Sequence, residues 1–160
     1  MAVAAVCTVS VQVADFDVSV LQQALLSGAN EEGAVASFTG YVRGGSGERP
    51  LHSMELEHYP GMTERSIENI LQQAAARWPL QAASVVHRVG LLQPGDQIVW
   101  VGVASAHREA AFSACEYIMD YLKNEAPFWK KEAGNQGSRW VEARVEDQLR
   151  AARWDDDQLT

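Results

Sequence analysis

The sequence predicts an α+β domain with mainly antiparallel strands, and three observations carry that reading. Short runs alternate apolar with polar residues, as in Val6-Cys-Thr-Val-Ser-Val-Gln-Val13, which is the period of a strand. Longer runs place apolar residues at helical spacing, as in Ala111, Ala114, Cys115, Ile118, Tyr121 and Leu122. The two kinds of run interleave in the order β-α-β-β-α-β-β-α-β-β, with no repeat and no low-complexity linker.

Each element has its own signal. Val6 to Val13 reads as the first strand. Asp17 can cap a helix running to about Ser27, and Gly28 ends it. Ala34 to Val42 is a second strand, followed by the loop Arg43-Gly-Gly-Ser-Gly-Glu-Arg-Pro50, expected to be the most flexible part of the chain. Leu51 to His58 is a strand closed by the turn Tyr59-Pro-Gly61. Thr63 is expected to cap a helix ending near Trp78-Pro79. Ala83 to Val89 and Gln97 to Ala104 read as strands joined across Pro94-Gly95-Asp96. Ser105 is expected to cap a helix from about His107 to Lys123, which Pro127 prevents from continuing. Phe128 to Ala133 and Arg139 to Arg144 look like a final hairpin, and a short helix follows from Val145 to Trp154. This gives one domain over residues 1–154, with three major helices, and an acidic tail over 155–160 expected to be disordered.

At 160 residues, 47% hydrophobic and 21% charged, the chain has the composition of one soluble globular domain. A formal net charge of -8 argues against a nucleic-acid surface or an anionic membrane as the main partner. The charge is uneven: from Lys123 to Arg144 there are five Lys/Arg against three Glu. A local basic patch on an acidic protein fits a small anionic ligand; chance unevenness in a short window is the alternative. Cys7 and Cys115 form no CxxC and have no His at ligand spacing, so neither a zinc site nor another bound cofactor is expected. Cys115 reads as a core thiol. The N-terminus lacks the basic stretch of a signal peptide, and no apolar run is long enough to span a bilayer, so the expected location is the cytoplasm.

The lysines are the most informative residues. There are three, against ten arginines, and all lie in one stretch at Lys123, Lys130 and Lys131. Lysine differs from arginine in that its pKa can be drawn down to give a free amine near neutral pH. Pro127, Phe128 and Trp129 would supply a partly apolar wall that helps to do so. The plainer alternative is that Lys123 complements a helix C-terminal dipole while Lys130 and Lys131 are solvated.

His107 and Arg108 open a helix, where the dipole favours acids, so a bound anion would account for two cations there. Pairing of Arg108 with a nearby Glu is the alternative. Arg43 ends a strand and opens the glycine-rich loop, which does not have P-loop spacing. No nucleophile triad is evident. His52, His58 and His87 fall in strands or at strand ends and read as structural or surface residues. The five tryptophans lack basic interleaving and read as core or interface anchors. The residues alone thus give a cationic pocket of Arg43, His107, Arg108, Lys123 and Lys130, with Lys131 and Arg144 as candidates, for a phosphate or carboxylate ligand.

Several ordered motifs go further. They are Phe38-Thr-Gly-Tyr-Val-Arg43, Leu56-Glu-His-Tyr-Pro-Gly-Met62, Arg77-Trp-Pro-Leu80, His87-Arg-Val-Gly90, Pro94-Gly-Asp96, Val101-Gly-Val-Ala-Ser-Ala-His-Arg108, Ile118-Met-Asp-Tyr-Leu-Lys123, Ala126-Pro-Phe-Trp-Lys130 and Arg139-Trp-Val-Glu-Ala-Arg144. Together they resemble the large, catalytic subunit family of molybdopterin synthases over roughly Gly33 to Arg144. The resemblance implies an α/β-hammerhead-type single domain and a sulfurtransferase of molybdenum cofactor biosynthesis. Its substrate would be cyclic pyranopterin monophosphate. Its sulfur would come from the thiocarboxylate on the C-terminal Gly-Gly of a small ubiquitin-like subunit. The assembly implied is a heterotetramer around a central homodimer, with a pocket that draws on both large subunits.

Carried over, Lys123 and Lys130 would be the catalytic lysines. Arg43, His107 and Arg108 would hold the phosphate and pterin. Tyr41, Val42, Lys131 and Glu132 would complete the pocket lining, and Arg144 would meet the anion or the partner's tail. One departure stands out: where the family has an Asn-containing loop after Arg43, this chain has Gly44-Gly-Ser-Gly47. Two other readings stay open at this point: a non-catalytic binder of a ubiquitin-like tail or small anion, and a lysine Schiff-base enzyme.

Overall fold

The computed structural model describes residues 4–46, 49–134, 137–141 and 145–156. Their elements are β1 (Val6–Gln12), α1 (Val18–Ala24), β2 (Ala34–Tyr41), β3 (Gly45–Ser46), β4 (Arg49–His58), α2 (Met62–Arg77), β5 (Leu80–Arg88), β6 (Gly90–Leu92), β7 (Gln97–Ser105), α3 (Arg108–Glu125), β8 (Phe128–Gly134), β9 (Gly137–Val141) and α4 (Val145–Asp156). Two sheets result. One runs β1-β5-β7-β2; the other runs β3-β4-β8-β9, with β6 also pairing with β4. Every strand pair is antiparallel except β1 with β5, as an α+β domain requires.

The first sheet is covered on both faces. On one side Ile67, Ile70, Leu71 and Ala74 of α2 and Ala111, Ala114 and Ile118 of α3 pack on Val85, Val101 and Val103. On the other, Phe16, Val18, Leu21 and Leu25 around α1 pack on Val86, Trp100 and Ala104. A strand buried on both faces reads as a continuous apolar run, which is why β7 shows so little alternation. Gly102, in the middle of β7, is needed for its small size. A Cβ there would fall on the Trp100 ring and lie 2.8 Å from Leu25 Cδ1. Gly102→Ala will therefore destabilise the fold by about 1–3 kcal/mol, read as a lower urea midpoint with an unchanged slope.

Several expected boundaries move, each for a physical reason. Asp17 does cap α1, accepting from the Ser19 and Val20 N–H groups, but the helix stops at Ala24. Thr63 lies inside α2, whose N-cap is Gly61. Its hydroxyl accepts from Tyr59 N–H and donates to the Pro127 carbonyl, tying α2 to the start of β8. Ser105 likewise is not the cap of α3; His107 is, while Ser105 donates to the Pro79 carbonyl. The loop expected to be flexible after Arg43 contains β3, where Gly45 pairs with Pro50 and Ser46 with Arg49.

β5 and β7 are not joined by a simple turn. Gly90, at φ +88°, bends the chain so that β6 crosses to the second sheet before the turn at Pro94-Gly95-Asp96 returns it. The last helix runs to Asp156, so Asp155 and Asp156 are helical rather than part of a tail, and Asp155 accepts from the Tyr121 hydroxyl. Residues 157–160 lie outside the described residues.

α4 docks on α3 through a charged cluster that the apolar pattern of α3 conceals. Asp120 is buried, and its carboxylate accepts from Trp154 Nε1 (2.8 Å), Arg153 (3.1 Å) and Arg150 (3.3 Å). Arg150 and Arg153 also pair with Glu116. Asn124 donates to the carbonyls of Asp120 and Asp147, joining the two helices at their ends. Beside this cluster the Arg77 guanidinium lies against Trp78, Tyr117 and Trp154, with 5.0 to 5.7 Å to the ring centroids.

Candidate active site

Lys130 and Glu132 are placed by strand alternation. Lys130 lies opposite Leu56, Glu132 opposite Met54, and Phe128 opposite His58 across the β4–β8 ladder. Paired residues share a face, and Met54, Leu56 and Phe128 belong to the apolar core between the sheets. Lys130 and Glu132 therefore stand on an inward, mostly apolar face, where they pair at 3.6 Å with side chains one-third and one-quarter exposed. Lys131 lies opposite the exposed Glu55, so it cannot share that face. The sequence expectation grouped these three residues; the strand separates Lys131 from the other two.

Lys123 sits in the last turn of α3, exposed, two residues before the helix ends. The chain then turns through Ala126 and Pro127 into Phe128, whose ring stacks on His87 with 3.9 Å between centroids and 19° between planes. His87 Nδ1 is 2.8 Å from the Arg88 carbonyl, which can only accept, so the proton of the neutral ring is on Nδ1. Burial pushes the His87 imidazole down from 6.5 to about 4, opposed by the Arg88 carbonyl and reinforced by the Lys123 and His58 charges. His58 in turn pairs with Glu64 at 3.4 Å.

The His87 shift fixes a pH dependence. The unfolded chain protonates this residue near 6.5, while the folded chain does not until about 4. Above 6.5 it is neutral in both states and costs nothing, and stability falls as pH drops through 6.5 towards 4. Melting temperatures measured between pH 7 and pH 4 will fall less steeply for His87→Phe than for the unsubstituted protein.

Arg43 follows β2 and is exposed, while Val42 before it is buried. Val42 N–H donates to the Asp96 carbonyl and its own carbonyl accepts from Gly95 N–H. Val42, expected to line the pocket, thus has its side chain in the core and its backbone in the turn; what it does is hold Arg43 in place. Tyr41 is exposed at the end of β2, opposite Gln97. Arg43, the Pro94–Asp96 turn, His87 and the lysine end of α3 therefore gather at one end of the first sheet.

His107 and Arg108 do not join them. They are exposed at the opposite end, where β7 hands over to α3. The fifteen residue-to-residue steps from Arg108 to Lys123 rise about 22 Å in an α-helix. One chain thus carries two cationic groups, not one pocket. Arg144 lies outside the described residues.

The residue pattern of the MoaE protein family matches residues 11–125, well over half of the chain. The chain belongs to the MoaE family. A MoaE relative from Ralstonia nicotianae, named molybdopterin synthase catalytic subunit, is 58% identical over 147 residues, covering 92% of this chain and 84% of its own. The solved structure of molybdopterin cofactor biosynthesis protein E from Burkholderia multivorans superposes with a TM-score of 0.80 at 49% identity, covering 94% of this chain and 97% of that one. The crystal structure of molybdopterin synthase from Staphylococcus aureus gives a TM-score of 0.78 at 32% identity, covering 83% and 96%. Both lysines, the His107–Arg108 pair and Arg43 all belong to this MoaE chain, although the family match ends before Lys130. Among the described residues, no helix is long and apolar enough to cross a membrane, and no three His, Cys, Asp or Glu side chains converge on a common point.

Sequence reasoning passed over His87, whose neighbours come from α3, β4 and β8, and Asp120, whose partners come from α4. Cys115 is the buried thiol expected, with its pKa raised by burial to about 12.

Proposed function

We propose that the chain is the catalytic subunit of a molybdopterin synthase. It transfers sulfur from the C-terminal thiocarboxylate of a small ubiquitin-like subunit to cyclic pyranopterin monophosphate, forming the dithiolene of molybdopterin. Membership of a family whose relatives carry that name supports the reading, and the observation that carries it is the placement of the two lysines. Lys130 faces an apolar interior beside a carboxylate, and Lys123 ends a helix beside a neutral imidazole. An ammonium at Lys123 would stabilise the negative charge that develops as the thiocarboxylate gives up sulfur. Lys130, paired with Glu132, would move the proton as hydroxyl or water leaves the pterin side chain. With two free cysteines and no metal called for, we place the chain in the cytoplasm.

The phosphate of the substrate would be held by His107 and Arg108, with Arg43 at the lysine end. About 22 Å of helix separates Arg108 from Lys123, so the phosphate-holding pair would come from the second copy in a homodimer. The partner's tail would enter towards Lys123. Lys131 would serve as an outer contact for the anion or the tail, and Arg144 would bind one of the two.

Purified chain with a thiocarboxylated cognate small subunit should convert cyclic pyranopterin monophosphate to molybdopterin; absence of product from folded protein would end the reading. The shared site has a sharper test. Arg108→Ala should mainly raise KM for the pterin, by roughly 10- to 100-fold, because it removes a charge-assisted contact. Mixing inactive Lys123→Ala chains with Arg108→Ala chains should restore roughly a quarter of wild-type turnover at low substrate, since half of the dimers are mixed and each holds one intact site. Failure of the mixture to recover activity would place both groups in one chain's site.

A further inference from the structure

We propose that His87 is a positioning residue for Lys123, presenting the lone pair of Nε2 to the lysine end of α3. The inference rests on the reading of Lys123 as a catalytic ammonium. Two contacts fix the ring. Its Nδ1–H is committed to the Arg88 carbonyl at 2.8 Å, so only Nε2 remains to accept. Its face is held by Phe128 at 3.9 Å. Phe128 follows α3 after two residues, so its stacking ties the end of that helix to His87, and the Lys123 charge acts on the ring.

The charged and titratable groups around the ring come from each packed element. Lys123 is supplied by α3 and His58 by β4, with Glu64 of α2 paired to His58; Phe128 of β8 carries no charge. On β5 itself, Arg88 is turned away, its guanidinium bonded to the carbonyls of Val13 and Gln97 and paired with Asp15. In this role Lys123 would meet an uncharged acceptor, where a protonated histidine would repel it. A lone pair beside an ammonium favours the charged form, and a fixed ring restricts where the side chain can point. Both effects suit a group that must be cationic when the acyl oxygen gains charge. A half-buried ring with one nitrogen committed and the other open to accept would account for histidine here rather than an aliphatic residue that fills the same space.

The test uses the full-length chain and reads Lys123 directly. Competitive acetylation with trace acetic anhydride, followed by mass spectrometry across pH, gives the titration of Lys123 without substrate or partner. In His87→Phe, which keeps the stacking but loses the acceptor, the Lys123 half-point should move down by about half a pH unit or more. His87→Gln, with an acceptor near the Nε2 position, should restore it. His87→Asn keeps a donor for the Arg88 carbonyl but has no acceptor at Nε2, so it should behave like His87→Phe; it also serves if the Phe variant does not fold.

In the synthase assay the Phe and Asn variants should lower kcat about tenfold, with KM for the pterin within twofold, and move the alkaline limb to lower pH, while the Gln variant stays near wild type. An unmoved Lys123 titration in a folded Phe or Asn variant overturns the proposal, as does rescue by Asn but not by Gln. If the titration moves as expected while the wild-type protein makes no product with its partner, the sulfur-transfer reading falls and the positioning role stands.

Discussion

Lys123→Ala will lower molybdopterin formation by about 100- to 1,000-fold while leaving the protein folded. The size follows from its assigned role, in which one cationic donor faces the oxygen of the breaking thioacid. The fold is spared because Lys123 is exposed in the last turn of α3, outside the apolar core. Losing a cation there weakens the helix-dipole interaction by roughly 0.3–1 kcal/mol, a small melting shift beside the catalytic loss. Measured with a thiocarboxylated partner, Lys123→Ala should retain partner binding, because the lost interaction belongs to the transition state. Lys123→Arg keeps the charge but spreads it over a planar group of different reach, and should recover only part of the rate. Wild-type turnover in a folded Lys123→Ala protein would remove the lysine from the mechanism.

The largest expected loss of stability comes from a residue with no part in the proposed lysine chemistry. Trp154→Ala will destabilise the protein by about 3–5 kcal/mol. Trp154 is buried, packs edge-on against Trp78 and Tyr117, and gives its indole N–H to Asp120. Removing it empties the space beside Arg77 and takes a donor from a buried carboxylate, which raises the cost further. Trp154→Phe keeps the ring but not the N–H, and should cost less than the alanine. The melting temperature should fall by roughly 10 °C or more in the alanine variant for a domain of this size. A loss below about 1 kcal/mol would mean that α4 contributes little to holding the domain together.

What could be read from the sequence followed from how local each signal was. The isolation of Lys123, Lys130 and Lys131 is a property of composition and needs no coordinates. The cations at the start of α3 broke the dipole rule in plain view, and that helix was found to within a residue or two. The capping assignments of Thr63 and Ser105 were wrong because a hydroxyl near a helix start can serve a remote carbonyl instead, here those of Pro127 and Pro79. β6 is three residues long, too short to show a period, so its crossing to the second sheet left no trace.

The separation of the two cationic groups was implicit in the count of residues between Arg108 and Lys123. It became decisive only once those residues formed an unbroken helix. Lys131 was grouped with Lys130 because adjacency in sequence resembles adjacency in space, and a strand reverses that. His87 gave no sequence signal because a histidine in an alternating strand looks the same whether its neighbours are water or Phe128 and Lys123.

The unbroken run of α3 has a consequence for how this chain can vary. Each residue added to or removed from the helix shifts one end relative to the other by about 1.5 Å and turns it by roughly 100°. Substitution along its outer face changes neither quantity. With the proposed shared site, α3 would act as a gauge bar: its surface would be open to drift, whereas its length would be set by the distance over which two copies of the chain meet a single substrate.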